Sequence, residues 1–160
     1  MGPWRYATEH LDRKGEPKVS TTTIEVADHL AILRMDGEYA RSWDTGDAAG
    51  WAALFTEDGS YETRHGDGPG VGAQGREGLE AFCRETVAQT QGIHLCHTPA
   101  IEVDGDGAMS WMQFEFRAQT GVRQQIHVVG SYRTVYRRTS EGWRIASRRS
   151  WSRCSATSMA

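Results

Sequence analysis

Residues 94–151, HLCHTPAIEVDGDGAMSWMQFEFRAQTGVRQQIHVVGSYRTVYRRTSEGWRIASRRSW, decide the fold. Four long runs stand between turn signals: His94–Val103, Met109–Ala118, Val122–Tyr136 and Trp143–Trp151. The punctuation is Asp104-Gly105-Asp106-Gly107, Gly121 and Glu141-Gly142, each short enough to fold the chain back beside itself. Long strands joined by short turns make an antiparallel meander, and strands of this length curl around whatever packs inside them.

Working outward, the stretch before the meander reads as helical. Leu79, Phe82, Cys83, Thr86, Val87 and Thr90 follow an i, i+3, i+4, i+7 order, which predicts a helix over Arg76–Thr90 with one face to cover. Ile32, Met35, Tyr39 and Trp43 recur at the same spacing in an earlier, long helix, with Thr22 or Thr23 to cap its start and Gly46 to stop it. Asp47 caps a short second helix whose apolar face is Trp51, Leu54 and Phe55, and which Asp58-Gly59 ends. Ser60–Arg64 reads as a first strand, and the Gly- and Pro-rich run Gly66–Gly75 as a mobile loop or flap. Three helices first and long strands last predict an α+β layer. The expected organisation is an arm over 1–20, one domain over 21–152 and a short tail over 153–160.

Composition excludes several classes. The chain has 160 residues, 38% hydrophobic and 24% charged, and a net charge of −3, so it has enough apolar material for a core and no general nucleic-acid footprint. No run approaches the roughly 20 apolar residues of a membrane span, and Met1–Ser20 lacks the apolar stretch of a secretory leader. Cys83, Cys96 and Cys154 are odd in number and lack metal-ligand spacing, which argues for a reduced, cytoplasmic setting and against disulfides or zinc. Gly70–Gly75 matches a dinucleotide-binding pattern, but the meander after it offers no parallel βαβ unit to hold a nucleotide.

Two residue types carry potential chemistry. Asp44 ends the long helix beside inward-facing Ile32, Met35 and Trp43, where a carboxylate either resists ionisation or finds a partner. His94 is a candidate partner: a carboxylate on one imidazole nitrogen fixes the tautomer and raises the basicity of the other, the arrangement of a general base. Taken alone, the same residues also read as a helix-end turn residue and a satisfied strand histidine.

A resemblance bears on that choice. Tyr39-Ala40-Arg41-Ser42-Trp43-Asp44-Thr45-Gly46-Asp47, then Trp51, then Leu54-Phe55-Thr56-Glu57-Asp58-Gly59-Ser60-Tyr61 resembles the opening of SnoaL-like proteins in the nuclear-transport-factor-2-like superfamily. His94-Leu95-Cys96-His97-Thr98-Pro99-Ala100-Ile101-Glu102-Val103-Asp104-Gly105-Asp106, Gly130-Ser131-Tyr132, and Gly142-Trp143-Arg144-Ile145-Ala146 followed by Arg148-Arg149 resemble later pieces, in the family's order. The resemblance implies a cone-shaped curved antiparallel sheet packed against three N-terminal helices and enclosing a pocket. It also implies enzymes such as scytalone dehydratase, a bile-acid dehydratase and hexachlorocyclohexane dehydrochlorinase, which use an Asp and His pair without metal or cofactor. Carried over by position, the catalytic set is Asp44, His94, Tyr39 and Arg148.

These expectations combine into a cofactor-independent lyase, isomerase or cyclase acting on a small apolar ring compound that bears a carbonyl or hydroxyl. His94, polarised by Asp44, removes a proton, and Tyr39 or Arg148 stabilises the developing enolate or helps a hydroxide depart. Trp43, Trp111, Phe114 and His127 are the candidate substrate-binding residues, strand parity deciding which of the strand positions face inward. No metal, cofactor, nucleic acid or membrane partner is expected, and the exposed face of a long sheet invites a homodimer or higher homo-oligomer. The alternative is a ligand-binding or assembly subunit of the same fold without catalysis.

Overall fold

A computed structural model describes residues 23–120 and 124–159 of the chain. The N-terminal arm, the Thr22 cap and the Gly121 turn lie outside the described residues. Helix α1 (Thr23–Asp44) forms where the periodicity predicts it, and Ile32, Met35, Tyr39 and Trp43 are all buried along one stripe. Gly46 ends it at φ +74°, a left-handed conformation that costs glycine nothing, with its N–H donating to the Trp43 carbonyl at 3.0 Å. The Asp47 carboxylate then accepts from the Gly50 N–H at 2.9 Å and opens α2 (Ala48–Ala53). Helix α3 (Arg76–Gln89) buries Leu79 and Cys83.

The strands are β1 (Phe55–His65), β2 (Val71–Gln74), β3 (Gln91–Cys96), β4 (Ala100–Asp104), β5 (Gly107–Thr120), β6 (Gln124–Thr139) and β7 (Gly142–Met159). They form one curved, unclosed sheet in the order β2-β1-β7-β6-β5-β3, with β4 also paired to β5. The meander β5-β6-β7 is antiparallel throughout, whereas β1 joins β7 in parallel, with β2, α3 and strands β3–β6 lying between them in the chain. Between the helices and the concave face sit Trp51, Phe55, Tyr39, Met112, Tyr132 and Ile145, all nearly or wholly buried. The fold is the α+β cone that the element order implies.

Several boundaries differ from expectation for local reasons. The run His94–Val103 is two strands, broken where Pro99 removes a backbone donor and forces Thr98 into an extended conformation. Gly66–Gly75 is not a loop throughout, since β2 within it pairs with β1 from Ser60↔Gln74 to Thr63↔Val71. Strand β1 starts earlier than Ser60, at Phe55, with a register irregularity between them, and β7 continues past Trp151 because β6 offers it partners as far as Gln124↔Met159.

Alternation along the meander settles which side chains face the cone. In β5, Ala108, Ser110, Met112 and Phe114 are buried, so Trp111 stands on the opposite face with Met109 and Gln113. In β6, Val128, Tyr132, Thr134 and Tyr136 are buried, which puts His127 outside with Val129 and Arg133. The expectation that Trp111 and His127 line the pocket is therefore corrected.

Candidate active site

A cavity of about 230 Å³ opens between the concave face, α1 and α3. Its apolar wall includes Trp43, Phe82, Phe114, Phe116 and Val128, and its polar groups are Tyr39, Tyr61, Tyr132, His94, His65 and short hydroxyl side chains. Since an apolar cavity of about 150 Å³ accommodates benzene, this one has room for a fused bicycle or a single substituted ring.

Two elements far apart in sequence bring Asp44 and His94 together. Asp44 is the last residue of α1, and His94 lies in β3 directly beneath it. The His94 backbone N–H donates to Asp44 Oδ2 at 2.9 Å, and His94 Nδ1 lies 2.6 Å from Asp44 Oδ1. An ionised carboxylate only accepts, so Nδ1 carries the ring proton and Nε2 is left for the cavity that His94 lines. The His94 side chain is 6% exposed and that of Asp44 20%. Gly92 permits the approach: a Cβ there would sit 2.5 Å from the Arg117 carbonyl oxygen and 2.6 Å from the Phe116 ring, so only glycine lets β3 lie this close to β5. The result is His94 packed on Phe116, ring centroids 4.7 Å apart, with Trp43 edge-on at 6.2 Å.

Three phenols line the same cavity, those of Tyr39, Tyr61 and Tyr132. Burial pushes Tyr39 and Tyr132 well above the usual phenol value, and Tyr61 upward as well, with the Arg148 charge pulling each back. They are therefore protonated donors at neutral pH. Arg148 does not line the cavity. Its side chain is 0% exposed, paired to Asp36, with Nε donating to Thr134 Oγ1 at 2.9 Å. Burial opposes its charge, but Asp36 and the surrounding phenols outweigh that and hold its pKa above the ordinary arginine value. Its guanidinium lies 4.0 Å from the Tyr39 ring centre and 5.1 Å from that of Tyr132.

The SnoaL-like domain family matches residues 25–149 of this architecture. The chain belongs to the SnoaL-like family. Solved structures similar to it include a Mycobacterium tuberculosis protein of unknown function, at 27% identity and TM-score 0.71, covering 83% of this chain and 77% of the other. A hexachlorocyclohexane dehydrochlorinase, LinA type 2, is similar at 15% identity and TM-score 0.75, with 84% and 91% covered. A Novosphingobium aromaticivorans protein provisionally named scytalone dehydratase is similar at 18% identity and TM-score 0.73, with 84% and 90% covered. No curated protein sequence matches the chain.

Within this SnoaL-like cone, the positions predicted from sequence divide by location. His94, Tyr39, Trp43 and Phe114 line the cavity, and Asp44 stands directly behind His94. Arg148 sits one layer further back, while Trp111 and His127 face away. Sequence reasoning missed Tyr61, Tyr132 and Asp36. The first two stand inside the quoted family stretches and share inward parity with Thr63 and Val128, a signal that was available. Asp36 follows the buried Met35 and gave no signal until a cation appeared opposite it.

Proposed function

We propose that this chain is a cofactor-independent enzyme that uses His94 as a general base on a small ring compound carrying a carbonyl or hydroxyl. The observation that carries the reading is the Asp44–His94 pair at 2.6 Å with the imidazole facing an apolar cavity. Asp44 fixes the tautomer and stabilises the imidazolium that forms when Nε2 takes a proton from carbon. Electron density then collects on the substrate oxygen. Tyr39, Tyr61 and Tyr132 serve as its donors, since buried phenols held in protonated form strengthen most as that oxygen becomes an anion. Arg148 acts on the reaction through the faces of Tyr39 and Tyr132, not by touching substrate. The enolate then expels a leaving group from the carbon beside the deprotonated one, which is elimination; where the enolate is extended by a further double bond, the imidazolium returns the proton to the far end of that bond, which is isomerisation. The names of two similar structures, a dehydratase and a dehydrochlorinase, both denote elimination and favour that branch.

The test uses β-tetralone, a bicyclic ketone, in heavy water. Wild-type protein is expected to catalyse deuterium uptake beside the carbonyl, measured by proton NMR, and His94→Ala is expected to slow it by about 10²–10⁴-fold. Equal rates in the two proteins, or no exchange above buffer in either, would sink the proposal.

A further inference from the structure

The cavity holds a second imidazole that the mechanism above does not use. His65 ends β1 and lines the cavity on the rim opposite His94. In the sheet order β1-β7-β6-β5-β3 the two histidine-bearing strands are four spacings of about 4.8 Å apart, roughly 19 Å along the sheet before curvature folds the rims toward each other. The local hydrogen bonds fix the His65 ring. Ser152, its register partner on β7, holds Oγ 2.7 Å from His65 Nδ1 and 3.3 Å from the Arg64 carbonyl oxygen. A hydrogen bond to Ser152 therefore occupies Nδ1, and Nε2 is the nitrogen free to meet a ligand.

Short hydroxyl side chains line the β1 and β7 side of the wall between the two histidines. Along β1 and β7, Thr63 accepts from Ser150 at 2.7 Å, one register step in from His65 and Ser152, and Tyr61 lies one step further in. Across from them stand Phe114, Phe116 and Val128. Such a cavity takes a flat molecule edge-on and offers hydrogen bonds at both of its ends. We propose that His65, aligned by Ser152, is a second polar anchor of this cavity, binding an oxygen function at the end of a ring substrate remote from the one that meets His94. The proposal deepens the reading of the cavity as a substrate site and rests on it. It narrows the substrate class to ring compounds oxygenated at both ends of the long axis.

The test compares naphthalene-2,6-diol with β-naphthol, two unreactive probes that differ in the second oxygen, by calorimetric titration. Wild-type protein is expected to bind the diol about tenfold more tightly, the value of one additional hydrogen bond in a partly dry site. His65→Phe, a change at an exposed mouth position that thermal unfolding will show to be folded, is expected to abolish that preference and leave β-naphthol affinity within about twofold. His65→Gln, which keeps a donor, is expected to restore part of it, and Ser152→Ala to lose part. Absence of a diol preference in the wild type, its survival in His65→Phe, or failure of both probes to bind would overturn the inference. Because neither probe reacts, absence of β-tetralone exchange in the wild type with the diol preference intact would count against the general-base proposal alone, and the converse result against the His65 anchor alone.

Discussion

Of the aspartates that helix α1 turns inward, Asp36 and Asp44 stand about two turns apart and meet different partners. Asp36 meets Arg148, whose charge is permanent, and the two side chains are 5% and 0% exposed. Asp44 meets His94, whose charge can change, and keeps 20% of its own side chain in reach of water. One carboxylate is thus spent holding a cation under the cavity floor. The other sets the tautomer of a ring that can take up a proton. The same residue type on the same helix face serves architecture or chemistry according to whether its partner is a permanent cation or an imidazole that can take up a proton.

The sharpest way to break that contrast is to remove each carboxylate in turn. Asp44→Asn is expected to lower the β-tetralone exchange rate by about 10²–10⁴-fold, because the amide no longer stabilises the imidazolium, while thermal stability moves by no more than about 1 kcal/mol. Asp36→Ala is expected to reverse the pattern. Leaving Arg148 as an unpaired buried cation costs about 3–5 kcal/mol, which at roughly 2–4 °C per kcal/mol lowers Tm by about 6–20 °C in calorimetry. Replacing both members, Asp36→Leu with Arg148→Met, is expected to recover most of that loss. If Asp36→Ala left Tm unchanged, or Asp44→Asn left the rate unchanged, the two pairs would not differ as argued.

The same contrast separates what the sequence made legible from what it hid. The helices showed in 3.6-residue periodicity and the meander in turn signals, since both depend on neighbours close in the chain. Asp44 and His94 were found because each sits in a quoted stretch of the family resemblance and because an acid against apolar residues needs a partner. Arg148 was found as a residue type but misplaced as a substrate contact. Its depth follows from α1 lying across β7, a long-range fact that no local pattern encodes. Trp111 and His127 were misassigned for a simpler reason: aromatic and imidazole side chains suit a pocket chemically, but alternation alone, anchored by Phe114 and Val128, decides their face.

The tyrosine layer between the two pairs gives a smaller effect with a definite sign. Tyr39, Tyr61, Tyr132 and Tyr136 all have pKa values raised above the usual phenol value of about 10, first by burial. Above that pH the unfolded chain sheds phenol protons that the folded chain retains, so stability is intact below about pH 10 and falls as pH rises beyond it. Each such phenol contributes a slope of up to about 1.4 kcal/mol per pH unit. Urea unfolding at successive alkaline pH values, with phenolate absorbance read in parallel, is expected to show that decline, with tyrosine ionisation coinciding with unfolding. Phenolate appearing at the usual pH while the protein stays folded would show the layer to be open to solvent.

The smallest expected effect tests the other side of the sheet. His127 lies on the convex face with its side chain 44% exposed and Nε2 at 2.9 Å from Glu115 Oε2. Glu115 is held below the usual carboxylate value first by Arg117 and then by His127, so it keeps a cationic partner when the histidine is removed. Exposed ion pairs contribute little because water screens them and both side chains give up rotamer freedom to form them. His127→Ala is accordingly expected to leave β-tetralone exchange unchanged and to shift stability by no more than about 0.5 kcal/mol. That near-silence is informative beside His94, an imidazole also paired to a carboxylate through a single ring nitrogen. What separates the two is the face of the sheet and the water around it, so a loss of exchange rate in His127→Ala comparable to that of His94→Ala would mean that the parity assigned from Phe114 and Val128 is wrong.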